Sequence, residues 1–154
     1  MAIIKVLKTG SIFESGADYL VNPVNCFGSM GKGLAREFRA MFPKMFEDYK
    51  ERCSKKLITV GKVSFWNNRD PGSSTRVIVN FPTKDHWSQK SELQWIENGL
   101  QDLSTKLQFL DCSCIAFPAL GCGLGGLKFR DVLNLMEVSL ESLPIQALIF
   151  KPQK

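Results

Sequence analysis

Residues 21–35 read VNPVNCFGSMGKGLA and join a strand-like run, residues 19–24, to a helical pattern that starts at Gly33. Gly28, Gly31 and Gly33 permit positive φ angles and let backbone N–H groups approach an anion closely. The helix that follows adds the positive end of its dipole. The segment therefore predicts a cradle for a diphosphate, with a purely structural turn as the alternative.

A second glycine-rich segment, residues 118–127, reads PALGCGLGGL and follows a buried strand predicted at residues 114–117. Another helical pattern comes after it. Loops at the carboxyl ends of strands in an open α/β sheet face one crevice, where such folds bind ligands. Neither segment matches G-x-G-x-x-G with a downstream acidic residue, and neither contains the G-K-[ST] of a P-loop. The pair therefore predicts a phosphate site of another kind.

Strand-like runs alternate with helical patterns throughout, which predicts an α/β fold with helices on both faces of a sheet. We expect a three-layer α/β/α arrangement around a mixed, mostly parallel sheet of six strands. The turn-rich segment 67–74 indicates a hairpin at a sheet edge. Pro43 separates the first two helices, and Ser91 with Gln94 predicts a capping box for the third. The predicted strands are residues 2–7, 19–24, 62–66, 76–81, 114–117 and 147–150, and the predicted helices are residues 33–40, 44–52, 91–107 and 130–143.

The composition is that of a globular protein, with 154 residues of which 44% are hydrophobic and 23% charged, and we place a single domain at residues 1–154. The net charge of +5 suits an anionic ligand or a nucleic acid, and a solvated basic surface is the alternative. The first eight residues read as a strand rather than a signal peptide, and no apolar stretch is long enough to span a membrane. We therefore expect a cytoplasmic protein that does not bind a membrane.

The cysteines are odd in number and have no framework spacing, which indicates reduced thiols. We expect each to be a small buried residue. With one histidine, His86, and no C-x-x-C, the sequence gives no basis for a metal site. The five cysteines are Cys26, Cys53, Cys112, Cys114 and Cys122.

Over nearly all 154 residues, the sequence resembles the macrodomains, which bind ADP-ribose. That family uses one loop beside a V-N-x-x-N strand end and a second, glycine-rich loop late in the chain. Residues 22–33 (NPVNCFGSMGKG) and 80–87 (NFPTKDHW) are similar to the branch of DNA ADP-ribosyl glycohydrolases. This branch includes the antitoxin of the DarT/DarG pair, and the terminal ADP-ribose protein glycohydrolases are its relatives.

The resemblance implies a specific site. Residues 27–34 and 120–127 would clamp the two phosphates with backbone amides, and Asn22 and Asn25 would lie near the distal ribose. Lys84 is the implied catalytic residue, with Asn22 as a second one. Without the family, turn chemistry around the intervening proline explains both asparagines. The ligand-binding residues implied are Ser11, Ile12, Asn22, Asn25, Phe27, Gly28, Met30, Gly31, Lys32, Gly33, Leu34, Thr83, Lys84, His86, Trp87, Leu120, Gly121, Cys122, Gly123, Leu124 and Gly125.

Two positions depart from the family pattern. Macrodomains carry an acidic residue, in a G-D-I segment, that accepts the adenine amino proton, and this chain has Gly10-Ser11-Ile12 there. We expect Asp18 or a backbone group to take that role. Gly125 stands where protein-directed relatives have an aspartate in the second loop. This difference favours a DNA-directed enzyme.

Three residues of the NFPTKDHW motif have alternative interpretations. Lys84 taken alone reads as a solvated lysine, and its place in the motif reverses that interpretation. A neutral amine can form a Schiff base with an opened ribose if burial or a neighbouring cation lowers its pKa, and a protonated amine can stabilise a departing group. Trp87 stacks on a nucleobase or caps the core, and His86 relays protons or has a structural role.

The leading hypothesis is an ADP-ribosyl glycohydrolase that cleaves the N-glycosidic link between ADP-ribose and thymidine bases of single-stranded DNA, without a cofactor. The alternatives are hydrolysis of protein-linked ADP-ribose or of O-acetyl-ADP-ribose, and a reader that binds ADP-ribose without turnover. The implied partners are ADP-ribose, ADP-ribosylated single-stranded DNA and a DarT-type toxin. We expect a monomer.

Overall fold

The alternating runs form a six-stranded sheet in the computed structural model, which describes residues 1–152. The strands are β1 (Ile3–Leu7), β2 (Tyr19–Asn25), β3 (Ser64–Asn67), β4 (Val77–Lys84), β5 (Cys114–Phe117) and β6 (Gln146–Phe150). The helices are α1 (Gly33–Met41), α2 (Pro43–Ser54), α3 (Leu93–Leu107) and α4 (Phe129–Leu140), and a short 3-10 turn covers Ile12–Glu14. The strand order is β1-β6-β5-β2-β4-β3, with the edge strand β3 antiparallel to β4 and all other neighbours parallel. The predicted mixed, mostly parallel sheet is confirmed.

Each face of the sheet buries its own hydrophobic cluster, because side chains alternate between the faces along a strand. On one face, Leu100 of α3 and Met136 of α4 pack against the sheet. On the other, Phe38 of α1 and Tyr49 of α2 pack with the 3-10 turn and Leu20 of β2. The predicted three-layer α/β/α arrangement is therefore confirmed.

β4 extends to Lys84, beyond the predicted strand end at residue 81. Proline is uncommon in central strands because it lacks an N–H donor, and Pro82 is nevertheless part of β4. In the structure Pro82 lies beside Val24 of β2, and the register then shifts so that Asn25 lies opposite Lys84. Lys84 is therefore the last residue of a paired strand rather than part of a free loop.

The predicted capping box of α3 is wrong. The helix begins at Leu93, and Glu92 at the N-cap position makes no side-chain hydrogen bond. The Ser91 N–H donates to the Gly125 carbonyl at 3.0 Å, and the Ser91 hydroxyl has no partner within residues 1–152. A tertiary hydrogen bond between Ser91 and Gly125, which the local sequence does not reveal, therefore replaces the predicted cap.

The helices are short. α3, with 15 residues, is the longest in the described part of the chain, and none there is long and apolar enough to cross a membrane. α4 ends at Leu140, before the predicted boundary at residue 143. Leu143 precedes Pro144, and a residue before proline avoids helical backbone angles, which explains the earlier end.

The cysteines are unpaired, as predicted, but each is half-buried rather than buried. Burial is the largest cause that raises the pKa of Cys112 to about 12 and that of Cys122 to about 11. Both therefore carry protonated thiols near neutral pH.

Gly99 of α3 lies directly on the ring of Phe81 in β4, where an added Cβ would be 2.5 Å from Cζ. Gly99→Ala is expected to destabilise the protein by about 1–3 kcal/mol, because the ring has to shift within a packed core. Urea unfolding followed by circular dichroism measures this, with Gln101→Ala on the exposed side of α3 as control. An alanine variant as stable as the wild type would show that the ring moves without penalty.

Candidate functional site

The carboxyl ends of five parallel strands lie at one edge of the sheet, and every predicted site residue except Asn22, which lies in the middle of β2, is at such an end or in the segment that follows it. Two segments leave adjacent strands there, loop one (residues 26–32) after β2 and loop two (residues 118–128) after β5. The chain continues from loop one to α1 on one face and from loop two to α4 on the other. The loops therefore diverge, and the crevice between them is where open α/β sheets bind ligands.

Asn25, the last residue of β2, organises loop one. Its Oδ1 accepts hydrogen bonds from the N–H groups of Phe27 (3.0 Å) and Gly28 (3.1 Å), and its Nδ2 donates to the Ser29 carbonyl (2.9 Å). The buried Tyr49 hydroxyl donates to the Asn25 carbonyl at 2.6 Å and anchors the loop to α2. Asn25 therefore has a turn role, but in loop one and not around Pro23 as the alternative interpretation had it, and its contact with a ribose stays a prediction.

Unpartnered backbone amides run from loop one into α1. Lys32 at the N-cap position makes no side-chain hydrogen bond, which leaves the first-turn amides of residues 33–35 uncapped. The N–H groups of residues 30–32 also have no acceptor within residues 1–152. Gly28 and Gly33 have φ angles of 106° and 59°, which other residues rarely adopt. Main-chain donors at a helix start form an anion-binding site.

Loop two is a tight turn supported from beneath. Gly121 has a φ of 73°, and the Leu127 N–H donates to its carbonyl at 2.9 Å. Gly125 is buried, and a Cβ there would collide with the Gly121 carbonyl oxygen and the Ser91 hydroxyl. The N–H groups of residues 123–125 have no acceptor in the described part of the chain. They form a second set of main-chain donors at the same edge.

Lys84 lies at the end of β4, opposite Asn25 of β2. Burial lowers the pKa of its amine, and the Lys32 cation of loop one lowers it further. The carbonyl of Asp85 accepts a hydrogen bond from the Cys26 N–H at 3.1 Å, which ties the end of β4 to loop one. These are the burial and the neighbouring cation that a reactive amine requires.

Asn22 is fully buried in β2, so turn chemistry does not explain it. Its Nδ2 donates to Oδ1 of Asn80 in β4 at 3.1 Å and contacts the Met30 sulfur at 3.7 Å. Its Oδ1 has no partner within residues 1–152. A buried acceptor of this kind is normally satisfied by water or a ligand. The predicted catalytic role of Asn22 stays a prediction.

The side chains of His86 and Trp87 lie beside loop one. The His86 ring centroid is 4.8 Å from that of Phe27 and 5.1 Å from that of Trp87. Nδ1 of His86 is 2.6 Å from the Ser88 hydroxyl, and the backbone N–H of His86 donates to Oε1 of Gln89 at 3.0 Å. Trp87 is 52% exposed, so it does not cap the core. Its stacking on a base stays a prediction.

The segment after β1 contains Ser11, whose hydroxyl caps the 3-10 turn, and Ile12, which is buried. Asp18 precedes β2 and lies at the opposite edge of the sheet. Its carboxylate accepts the Cys114 N–H at 2.8 Å and lies 3.8 Å from the Arg76 guanidinium. The expectation that Asp18 replaces the adenine acceptor is therefore wrong, and a backbone group is left for that role.

The other predicted residues differ in what they can offer a ligand. The side chains of Met30, Thr83 and Leu120 are buried, so these residues can act through their main chain or by shaping the pocket. Leu34 and Cys122 are half-buried, and Leu124 is exposed on loop two. Gly31, Lys32 and Gly123 are exposed around the crevice.

Three supporting residues were missed from the sequence. Asn80 could have been found, because it is the polar residue within the buried run Val77–Phe81. Ser91 carried a misleading signal, since its spacing from Gln94 imitates a cap. Tyr49 fits the apolar side of α2, and nothing in the sequence marks its hydroxyl as the anchor of loop one.

The Macro domain family model matches residues 21–136. A DNA ADP-ribosyl glycohydrolase of Thermus aquaticus is 37% identical over 144 residues, which cover 93% of this chain and 40% of that protein. The chain thus spans about two fifths of the length of the curated DNA ADP-ribosyl glycohydrolases that it matches.

Solved structures agree with this match. The macrodomain of Mycobacterium tuberculosis DarG superposes with a TM-score of 0.92 at 35% identity, over 99% of both chains. Thermosipho africanus DarTG in complex with ADP-ribose superposes with a TM-score of 0.88 at 33% identity, over 97% of this chain and 42% of that one. From its fold, its two glycine-rich loops and these matches, the chain belongs to the Macro domain family.

Proposed function

We propose that this macrodomain binds ADP-ribose and acts as an ADP-ribosyl glycohydrolase on thymidine bases of single-stranded DNA. The observation that carries the proposal is Lys84, whose amine has a lowered pKa at the strand end beside the free amides of loop one. The name of the Thermus aquaticus relative and the ADP-ribose complex of the Thermosipho africanus relative support this substrate class.

In the proposed complex, the diphosphate lies between the amides of loop one and those of residues 123–125. Within residues 1–152 both sets of donors are free of protein acceptors, and both lie at the same crevice. This position directs the distal ribose towards the end of β4, where Lys84 lies opposite Asn25. The adenine end then extends towards the segment after β1, where a backbone group accepts its amino proton.

Two routes are open to Lys84. As a neutral nucleophile, its amine attacks the anomeric carbon and displaces the base, which leaves with a proton from the amine. The bond from the anomeric carbon to the ring oxygen then breaks, that oxygen takes the second amine proton, and water hydrolyses the resulting Schiff base to release ADP-ribose and the free amine. As a cation, it stabilises the negative charge on the departing base while water attacks the anomeric carbon. Neither route needs a cofactor.

The decisive experiment offers the purified protein two substrates in parallel, an oligonucleotide with ADP-ribosylated thymidine and a protein with glutamate-linked ADP-ribose. Release of ADP-ribose from the oligonucleotide is expected. Cleavage of the protein substrate alone, or of O-acetyl-ADP-ribose alone, would assign the alternative hydrolase activities. Binding of ADP-ribose without any release would make the chain a reader.

Lys32 is expected to set the pH dependence of the reaction, because its cation lowers the pKa of Lys84. In Lys32→Ala the repulsion disappears, the pKa of Lys84 rises, and the inflection of the rate profile moves to higher pH. A limb that rises with pH identifies Lys84 as a neutral nucleophile, and a limb that falls identifies it as a cation. Lys32→Arg keeps the charge and should leave the profile in place. An unshifted inflection in Lys32→Ala would contradict this coupling.

We also propose that the chain is a monomer and that it opposes a DNA ADP-ribosylating toxin of the DarT type. A Thermosipho africanus relative named as a fusion of a DNA ADP-ribosyl transferase and a DNA ADP-ribosyl glycohydrolase supports the pairing of the two activities. Sedimentation analysis tests the first proposal, and growth rescue of cells that express such a toxin tests the second.

A further inference from the structure

Three aromatic rings lie together at the carboxyl edge of the sheet, outside the amides that form the anion site. We name Phe27, His86 and Trp87 the aromatic platform. Phe27 is 61% exposed and Trp87 is 52% exposed, whereas Phe and Trp side chains are on average largely buried. The rings contact each other in sequence, Phe27 with His86 and His86 with Trp87. Neither loop one nor the segment after β4 needs these rings for its core packing.

The platform has a fixed position relative to the site. The hydrogen bond from the Cys26 N–H to the Asp85 carbonyl joins the two segments that supply its rings. His86 is held by the Ser88 hydroxyl and by Gln89. Trp87 follows Lys84 by three residues, so the platform lies on the segment that continues directly from the proposed catalytic residue.

The two segments that supply the platform also carry lysines. Lys84 and Lys32 lie close enough for their charges to interact, and the Lys90 side chain lies against Gly126 of loop two. Asp85 is an acidic group close in sequence, and its carboxylate accepts a hydrogen bond from the Cys26 thiol. Burial and this carboxylate together raise the pKa of the Cys26 thiol to about 12. Exposed rings flanked by cations are the arrangement with which proteins bind single-stranded nucleic acid, since bases stack and phosphates pair with lysines.

We infer that the aromatic platform stacks on a nucleotide base next to the modified thymidine. The inference rests on the proposed function, because it concerns the strand that carries the ADP-ribose. Stacking uses the π face that every base has, so the platform tolerates any neighbouring base. It recognises the strand rather than the ADP-ribose, and it therefore affects substrates that contain a neighbouring nucleotide.

The test compares kcat/KM on two substrates, an ADP-ribosylated thymidine mononucleotide and the same nucleotide within a single-stranded oligonucleotide. Trp87→Ala is expected to lower kcat/KM on the oligonucleotide about tenfold more than on the mononucleotide, mainly through KM. Trp87→Phe should retain most of the wild-type value on both. Phe109→Ala is the matched control, because Phe109 is 82% exposed and lies beyond α3 at the opposite edge of the sheet.

Thermal unfolding and ADP-ribose calorimetry accompany the kinetics, and the midpoint of thermal unfolding should be unchanged in Trp87→Ala. A wild-type rate on the oligonucleotide overturns the inference. So does an equal loss on both substrates with weaker ADP-ribose binding, which would assign the ring to the ADP-ribose itself. If the wild-type protein releases ADP-ribose from neither substrate, the proposed function fails first, and the inference falls with it.

Discussion

Lys84→Ala is expected to lower kcat for the release of ADP-ribose from a thymidine-linked oligonucleotide by about 10²–10³-fold, the usual effect of removing a group that acts in the transition state. Affinity for free ADP-ribose should remain within a few-fold of wild type, because main-chain amides hold the diphosphate and the lysine does not. A loss in kcat with binding intact is the pattern of an interaction made in the transition state. Single-turnover release and calorimetry measure the two quantities.

Two further variants sharpen the Lys84 experiment. Lys50→Ala removes an exposed lysine of α2 and should leave both release and binding at wild-type values. Lys84→Arg keeps a cation that does not lose its proton, so it retains part of the activity if charge is the contribution and none if the amine is the nucleophile. Wild-type release by Lys84→Ala would exclude this lysine from the chemistry.

Gly125→Ala is expected to weaken ADP-ribose binding by about 10- to 100-fold, which corresponds to the loss of one charge-assisted hydrogen bond. The reason is steric. A Cβ at this position meets the Gly121 carbonyl and the Ser91 hydroxyl, so loop two has to open and residues 123–125 lose their orientation. The same displacement should destabilise the fold by about 1–3 kcal/mol. Calorimetry and thermal unfolding check both effects.

A second substitution distinguishes the two groups that a Cβ at position 125 meets. Ser91→Ala combined with Gly125→Ala removes the hydroxyl but leaves the Gly121 carbonyl, so binding should recover only in part. Gly123→Ala is the control for stability, since nothing lies within 4 Å of its Cβ position. An aspartate at position 125 faces the same obstruction, which makes the acid of the protein-directed relatives unavailable here. Wild-type affinity in Gly125→Ala would show that loop two adapts freely.

The sequence was sufficient for the order of elements and for the edge at which the site lies. Glycines that must adopt positive φ and strands of buried residues are local signals, and both glycine-rich segments fall where they were expected. Parallel strands then determine that residues following them share one edge. Lys84 was identified through a motif, and its position opposite Asn25 followed only from the strand pairing.

What the sequence could not supply are contacts between segments far apart along the chain. The Asn22–Asn80 hydrogen bond depends on register between β2 and β4, and that register includes a shift next to Pro82. Ser91 binds loop two instead of capping its own helix. Asp18 was one of two candidates for the adenine acceptor, and only the direction of β2 shows that it lies at the amino end of the strands, away from the site.

Asp18 also shows that contacts which hold the strands together lie at the opposite edge of the sheet from the proposed site. Its carboxylate accepts N–H groups of Ser113 and Cys114 at the start of β5, and Arg76, just before β4, approaches the same carboxylate. One side chain thus cross-links the amino ends of three neighbouring strands. Because this brace lies a full strand length from the crevice, amino-acid replacements at the carboxyl edge can redirect substrate choice without loosening the scaffold.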